Sequence, residues 1–380
     1  MDRTIRDAVQ ALHNHPARLA LVIAGAGSQA LAWLLGVAGA SRTLLEATVP
    51  YSLPAMVAYL GWQPEHIVTA QTARSLAAAA YARARRCAPS PGPLIGASCT
   101  ATIATDRPKR GAHRCHIGVW DGETVAVHSL ELRKGLRDRA AEEDIVSRLL
   151  IRALMAACGL DVDIPLDLAE GEVVTVTREA IGDPLARLLE GSVGKLTCYS
   201  PDVFVADEPL RGAILPGSFN PLHEGHVRLA RVAEAHLGQQ VLFELSVHNV
   251  DKPSLTRPQI AARLRQFAEG PRRVVLTGEP LYAGKAALFP ACTFVIGYDT
   301  AQRLIDPAYY QGDPQRMLAA LAAVRAAGCR FLVAGREVGG VFHTLADLSI
   351  PAGYEDLFEG LPEEAFHVDL SSTELRARGL

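Results

Sequence analysis

Two histidines bracket a glycine at the start of a predicted helix in the second half of the chain. The stretch GAILPGSFNPLHEGHVRLA, residues 212–230, places His223 and His226 on either side of Glu224 and Gly225, after an apolar run and a Gly-Ser turn. Residues three apart on a helix share a face, so both imidazoles can point at one ligand. The amides at a helix N-terminus favour an anion. The spacing therefore predicts an anion site that contains two imidazole side chains.

The elements that must position these histidines follow an alternating pattern after about Asp207. Strand-like runs such as RGAILPGSF and CTFVIGYD are separated by helix-like runs such as HVRLARVAEAHLG and QRMLAALAAVRAAG. This alternation predicts a parallel sheet with helices on both faces. Ligands of such sheets bind beyond the carboxyl ends of the strands, so we expect the site residues directly after each strand.

The segments after the predicted strands are rich in residues that bind phosphates. Gly217 and Ser218 allow a close approach of the backbone after the first strand, and Gly297 and Asp299 of IGYDT are placed to approach a ribose or a base edge. Near the C-terminus, LSSTELRARGL opens another helix with three capping hydroxyls. The cations and hydroxyl groups of these segments belong to Lys252, Arg257, Arg336, Ser371, Ser372, Thr373 and Arg376. Such a set predicts a polyphosphate site and, without a paired nucleophile and base, direct phosphoryl or nucleotidyl transfer.

Two motifs in this half resemble those of the nucleotidylyltransferase superfamily. The GxFxPxHxGH segment is found from Gly217 to His226, and the SSTxxR segment from Ser371 to Arg376. The IGYDT stretch and the lysine loop are most similar to the nicotinate or nicotinamide mononucleotide adenylyltransferases. The resemblance implies a Rossmann-like domain over residues 208–380 that transfers adenylyl from ATP to such a mononucleotide, a step of NAD biosynthesis.

The resemblance also implies a role for each matching residue. His223 and His226 would hold the phosphates and stabilise the pentavalent α-phosphorus while pyrophosphate leaves, and Lys252 and Arg376 would neutralise charge. The remaining nucleotide-binding positions would be Gly217, Ser218, Phe219, Asn220, Gly225, Gly297, Asp299, Ser371, Ser372 and Thr373. Magnesium is expected with ATP, held mainly by phosphates and water, so no protein metal ligands are predicted.

The sequence leaves the acceptor and the donor base open. The acceptor could instead be a phosphopantetheine or a phosphoalcohol, and the donor could be CTP, because the loops that read base and acceptor cannot be aligned from one chain. A non-catalytic sensor or scaffold that binds nucleotides is the alternative from another functional class. The expected partners are a nucleoside triphosphate and a phosphorylated small molecule.

The first half supports two interpretations. VIAGAGSQA contains G-x-G-x-x-A after a predicted strand, and Glu46 lies where a ribose-binding acid would follow in a dinucleotide site. A longer resemblance links residues 15–160 to CinA-like domains, some of which deamidate nicotinamide mononucleotide. It runs through LIGASCTATIATD and ELRKGLRDRAAEED, and we favour it.

The CinA-like segment departs from its family at the residues that carry the chemistry. The serine nucleophile of the family falls on Ala26 and its lysine on Met56, although Tyr51 and Ser52 remain and Ser28 is nearby. An alanine cannot form an acyl intermediate. We therefore expect a degenerate α/β domain over residues 1–165 that binds a nucleotide or mediates oligomerisation, joined to the second domain by residues 166–207.

Composition narrows the class of protein further. The net charge of -3 argues against nucleic-acid binding through overall basicity. Seven cysteines without a C-x-x-C pair indicate a reducing, cytoplasmic environment. His113, Cys115 and His116 of HRCH lack a second cluster that would complete a metal site. The uncharged stretch at 19–41 is interrupted by glycines and predicts strand, turn and helix rather than a membrane span.

Overall fold

The computed structural model describes residues 1–106, 110–248, 253–268, 270, 272–338 and 340–366. The chain divides into two compact units. Residues 1–60 and 64–183 form the first unit, and residues 61–63 join the chain from Pro184 onward in the second. Both units are mixed α/β structures, each built on its own sheet.

The first unit contains a six-stranded mixed sheet. Its elements are α1 (Arg3–Asn14), β1 (Arg18–Ala24), α2 (Ser28–Gly36), α3 (Ala40–Thr43), β2 (Leu44–Thr48), α4 (Leu53–Leu60), α5 (Ala70–Cys87), β3 (Leu94–Thr102), β4 (His113–Trp120), β5 (Thr124–Leu132), α6 (Arg139–Ala157) and β6 (Thr175–Ala180). The strand order is β2-β1-β3-β4-β5-β6, in which the first three strands are parallel and the others antiparallel.

The sequence prediction for the uncharged stretch of the first unit is confirmed. The stretch at 19–41 forms β1, a glycine turn and α2, and no described helix is long and apolar enough to cross a membrane. Strands β4 and β5 form a hairpin. Its turn is closed by Asp121, whose Oδ1 accepts hydrogen bonds from the amides of Glu123 and Thr124 at 2.9 and 2.6 Å.

The second unit contains an eight-stranded sheet. Its elements are α7 (Pro184–Leu189), β7 (Lys195–Ser200), β8 (Val203–Ala206), β9 (Ala213–Pro216), α8 (Glu224–Leu237), β10 (Val241–Ser246), α9 (Arg257–Arg265), β11 (Val274–Thr277), α10 (Tyr282–Leu288), β12 (Thr293–Gly297), α11 (Tyr298–Leu304), α12 (Pro314–Ala326), β13 (Arg330–Ala334), β14 (Arg336–Val338), β15 (Val341–His343) and β16 (Phe358–Gly360). The sheet order is β16-β13-β12-β9-β10-β11-β7-β8, and β14 pairs with β15 in a separate hairpin. The six strands from β16 to β11 are parallel, whereas β7 and β8 are antiparallel.

Helices cover both faces of this sheet, as the sequence predicted. Phe243 and Glu244 are neighbours on β10 and therefore point to opposite faces. Phe243 packs against Phe267, just beyond α9, with ring centroids 5.2 Å apart, whereas the Glu244 carboxylate binds Lys285 on α10. Helix α9 therefore lies on one face and α10 on the other.

The segment predicted to connect the domains, residues 166–207, is divided between the two units instead. Strand β6 extends the first sheet, and β7 and β8 extend the second, so the boundary falls between Asp183 and Pro184 rather than near Asp207. All six residues of β6 are exposed. An edge strand without a buried face leaves little hydrophobic pattern in the sequence.

Candidate functional site

A crevice opens at the centre of the second sheet, where the order of the strands reverses. Pairing between β9 and β12 is confined to Ala213 with Thr293 and Ile214 with Phe294, although both strands continue beyond these residues. The carboxyl ends of the two strands therefore separate. This switch point is where open α/β sheets bind their ligands. The predicted histidine motif follows β9, whereas Gly297 ends β12 and Asp299 follows it, so the motif and these two residues lie at the crevice.

The turn after β9 is held in place by its glycine and its phenylalanine. The Gly217 amide donates to the Glu244 carbonyl at 2.9 Å. A Cβ at Gly217 would lie 2.6 Å from the Phe219 ring, so glycine allows that ring to turn inwards. Phe219 has a φ of 43° and is completely buried against Phe243 and Phe267. Its role is therefore to anchor the turn, while Ser218 and Asn220 stay exposed at its surface.

Two side chains outside the histidine motif, one on α9 and one at its C-terminus, bind the backbone of the turn after β9. The Gln266 amide group donates to the Phe219 carbonyl at 3.0 Å and accepts from the Leu222 amide at 2.7 Å. The Arg263 guanidinium donates to the Ser218 carbonyl at 2.9 Å. Sequence reasoning missed both residues, because no motif marks a side chain that binds the backbone of a distant loop.

The two histidines form one stacked unit at the start of α8. His223 is the residue before the helix, and its ring lies 3.7 Å from that of His226 at an angle of 27°. The His223 amide donates to Nδ1 of His226 at 3.3 Å. Since Nδ1 accepts this hydrogen bond, the ring proton of neutral His226 belongs on Nε2. Gly225, which precedes His226 in the sequence, is buried and adds no side chain to the first turn of α8.

Burial keeps both imidazoles uncharged at neutral pH. Desolvation lowers the pKa of His223, and desolvation together with the charge of His223 lowers the pKa of His226 to about 4. Neutral imidazoles next to a helix N-terminus can donate hydrogen bonds to an anion. An anion bound there would favour the charged imidazoles and raise both pKa values.

Two predicted residues with charged side chains, Asp299 and Arg336, are each other's partner. The Asp299 carboxylate forms an ion pair with Arg336, and both side chains are 42% exposed. Next to it, the Tyr298 ring stacks on His343 at 5.2 Å, which brings the β14–β15 hairpin against α11. A Cβ at Gly297 would meet no atom within 4 Å, so the space beside it is open.

Five predicted site residues lie outside the described residues: Lys252, Ser371, Ser372, Thr373 and Arg376. Within the described part of the chain, no group of three or more His, Cys, Asp or Glu side chains could hold a metal ion. A magnesium ion in this site would therefore need phosphates, water or the remaining residues as ligands.

A cavity of about 450 Å³ lies on the face of the sheet that carries α10. Its apolar lining includes Tyr282, Leu321 and Phe331, and its cations are Arg303 and Arg316. The Arg303 guanidinium lies over the Tyr309 ring, 5.6 Å from its centre. None of the described residues that line the cavity is acidic. The sequence did not reveal it, since its lining residues come from segments that are scattered between Pro280 and Phe331.

The dinucleotide interpretation of the first unit is wrong, because internal partners occupy both of its key positions. Oε1 of Glu143 on α6 accepts hydrogen bonds from the Gly27 amide, the Ser28 hydroxyl and the Gln29 amide at 3.0, 2.9 and 3.1 Å. A carboxylate thus fills the N-terminus of α2, where a pyrophosphate would bind. Glu46 forms an ion pair with Arg83 of α5, which lowers the pKa of its carboxyl group.

The positions expected to have lost the deamidase chemistry lie in the core. Ala26 and Met56 are each 1% exposed, so neither position presents a side chain to solvent. The HRCH residues do not converge either, since successive residues of a strand point to opposite faces, which separates His113 from His116. His113 binds Glu142 at 2.8 Å, whereas His116 binds Ser129 at 2.8 Å.

The comparisons with known proteins agree with the geometry of the second unit. Residues 214–378 match the model of the cytidylyltransferase-like family. The chain carries a cytidylyltransferase-like domain. This domain spans the crevice, the histidine pair and the α10 face. A nucleotidyltransferase activity in general is supported by the match.

Solved structures similar to this chain match its N-terminal part. The competence/damage inducible protein CihA from Agrobacterium tumefaciens is 19% identical, with 41% of this chain and 96% of that chain covered and a TM-score of 0.35. The competence or damage-inducible protein from Enterobacter asburiae is 15% identical over 42% and 98% of the two chains, with a TM-score of 0.33. The comparison with curated proteins found no match.

We predict that pyrophosphate raises the pKa of His226. Burial lowers the pKa of His226 to about 4 in the protein without a ligand, and a bound anion stabilises the imidazolium, so we expect the protein to take up a proton on binding and its affinity to increase as the pH falls. Imidazole NMR titrations with and without pyrophosphate measure the shift. His128 in the first unit is the control, because burial also lowers its pKa to about 4. Pyrophosphate should leave the pKa of His128 unchanged. An unchanged His226 pKa at saturating pyrophosphate would contradict the assignment.

Proposed function

We propose that the second unit transfers an adenylyl group from ATP to nicotinate or nicotinamide mononucleotide. The observation that carries the proposal is the stacked pair His223 and His226 at the N-terminus of α8, at the mouth of the crevice between β9 and β12. Two neutral imidazoles at a helix N-terminus, next to a turn whose Phe219 ring is buried away from the surface, suit a polyphosphate chain. This role places the protein in cytoplasmic NAD biosynthesis.

The reaction needs positioning and charge stabilisation rather than a protein nucleophile. A phosphate oxygen of the acceptor attacks the α-phosphorus, a new P–O bond forms, and the bond to the β-phosphate breaks so that pyrophosphate leaves. Negative charge grows on the oxygens of the α-phosphorus in the transition state. The Nε2 proton of His226 and the first amides of α8 are donors for those oxygens. Bound magnesium would neutralise the triphosphate and assist its departure.

The cavity on the α10 face supports a mononucleotide acceptor. Its Tyr282 and Phe331 rings suit an aromatic base, and its volume of about 450 Å³ suits a small molecule. Arg303 favours an acceptor that carries negative charge, whereas Arg316 forms an ion pair with Asp313 at 3.4 Å. These features favour a pyridine mononucleotide over a flexible phosphopantetheine. Three alternatives must be separated by experiment. The donor could be CTP, the acceptor could be another phosphorylated molecule, or the protein could be a nucleotide sensor without catalytic activity.

The first unit has a different role in this proposal. Its α2 N-terminus is filled by Glu143, and the positions matching the family nucleophile and lysine hold the buried Ala26 and Met56. We therefore propose that it does not deamidate nicotinamide mononucleotide, and that it contributes assembly or nucleotide binding to the full chain.

The transfer proposal predicts pyrophosphate release that depends on His226. Full-length protein with magnesium should release pyrophosphate from ATP only when nicotinate or nicotinamide mononucleotide is present, and His226→Ala should lower kcat about 100-fold or more. His236→Ala is the matched control, because His236 lies near the other end of α8 and binds Glu359. No turnover with ATP or CTP and any phosphorylated acceptor would refute the enzyme proposal, and full activity of His226→Ala would refute the site.

The cationic cavity predicts a preference for the acidic mononucleotide. We expect Arg303→Met to raise the KM for nicotinate mononucleotide about tenfold, since one charge-assisted hydrogen bond is lost, and to leave the KM for the nicotinamide form nearly unchanged. Arg325→Met is the control, because Arg325 lies near the end of α12 as Arg303 lies near the end of α11, but Arg325 pairs with Asp356 and does not line the cavity. Equal effects on both acceptors would show that Arg303 does not read the carboxylate.

The altered first unit predicts an absence of ammonia release. Nicotinamide mononucleotide incubated with the full chain should yield no ammonia above the buffer rate, because Ala26 cannot form an acyl intermediate. A coupled ammonia assay measures this. Ammonia release that disappears in Ser28→Ala would instead show that Ser28 has taken over as the nucleophile.

A further inference from the structure

We propose that the buried ion pair between Glu244 and Lys285 is a positioning device that connects the nucleotide turn to the wall of the acceptor cavity. The inference rests on the proposed function. Glu244 lies on β10 and Lys285 on α10, and their side chains are 0% and 5% exposed. The Lys285 ammonium contacts both carboxylate oxygens at 2.6 Å. The Thr277 hydroxyl of β11 also donates to the carboxylate.

The pair is difficult to explain by stability alone. Removing two charges from water is costly, and a buried ion pair can often be replaced by apolar side chains of similar volume without loss of stability. The surroundings would accept such a replacement, since Tyr282, Phe294 and Phe331 pack edge to face one turn away. Apolar side chains would not fix the distance and orientation between β10 and α10, as the charge-assisted hydrogen bonds of the pair do.

Glu244 links the two halves of the site through two different groups. Its carbonyl accepts the amide of Gly217, the first residue of the turn that leads to His223. Its carboxylate holds Lys285, one helical turn after Tyr282, and Tyr282 and Ala283 line the cavity. The backbone contact survives any substitution at position 244, whereas the carboxylate contact does not. Changing the side chains should therefore disturb the cavity wall and leave the nucleotide turn in place.

This separation predicts an unequal effect on the two substrates. In the double variant Glu244→Leu with Lys285→Met, we expect the acceptor KM to rise about tenfold, because a displacement of about 1 Å can cost that much or more. The KM for ATP should stay within about twofold, since the Gly217 contact is retained. Hydrogen exchange of residues 280–288 should become faster, while that of residues 217–226 should not change.

The control is a second ion pair in the same unit. Glu234 at the end of α8 pairs with Arg272, just before β11, and Glu234 also accepts from the Val241 amide at 3.2 Å. These groups lie at the amino ends of β10 and β11, away from the crevice. The double variant Glu234→Gln with Arg272→Met should leave both KM values unchanged.

Steady-state kinetics of the full-length variants, with thermal unfolding to confirm folding, test the inference. A folded Glu244→Leu, Lys285→Met variant with the wild-type acceptor KM and wild-type exchange at 280–288 would overturn it. If that variant does not fold, Glu244→Asp retains the charge but shortens the link, and an unchanged acceptor KM in that variant would also overturn the inference. Wild-type protein that neither turns over nor binds a mononucleotide in calorimetry would refute the proposed function itself, which distinguishes the two failures.

Discussion

The early separation of β9 and β12 is the constraint on which the site in the second unit depends. Because their pairing ends at Ile214 and Phe294, the chain leaving β9 is free to turn away from the sheet instead of continuing beside its neighbour. The turn is then fixed by burial of Phe219 and by the Gln266 side chain. Helix α8 begins where that turn ends, so its N-terminus and its two imidazoles lie at the opening. The position of the two histidines therefore depends on the separation of β9 from β12.

The stacked imidazoles show why the histidine spacing has a physical purpose. A hydrogen bond from the His223 amide to Nδ1 of His226 selects one tautomer and fixes the ring. Burial lowers the pKa of both rings and so favours their uncharged forms. A permanent cluster of cations in a desolvated place would be costly without a ligand, whereas neutral imidazoles can donate hydrogen bonds without that cost.

Much of the second unit could be predicted from the sequence, because its strands and helices repeat a strong local pattern. The run RGAILPGSF indicated β9, and the histidine spacing located the start of α8. What could not be predicted are the contacts between distant segments. Gln266 and Glu244 each bind a group that lies far away in sequence, and no pattern in their own surroundings indicates it. The cavity could not be predicted for the same reason, since it exists only once α10, α11 and α12 pack together.

The first unit shows the opposite limit of sequence reasoning. Its glycine turn fits a dinucleotide motif, but the motif describes only the backbone and not what occupies it. The Glu143 carboxylate supplies the negative charge that a bound phosphate would bring, and it comes from a helix more than a hundred residues away in the chain. The motif alone therefore does not show whether this turn can accept a phosphate.

A crystal structure of the full chain with magnesium and a non-hydrolysable ATP analogue would show where the triphosphate binds. We expect the α-phosphate to lie against the N-terminus of α8, with a phosphate oxygen about 3 Å from Nε2 of His226. We also expect the Gly27 turn of the first unit to keep Glu143 as its partner. A triphosphate bound elsewhere, with the start of α8 left empty at saturating analogue, would show that the histidine pair does not bind the nucleotide.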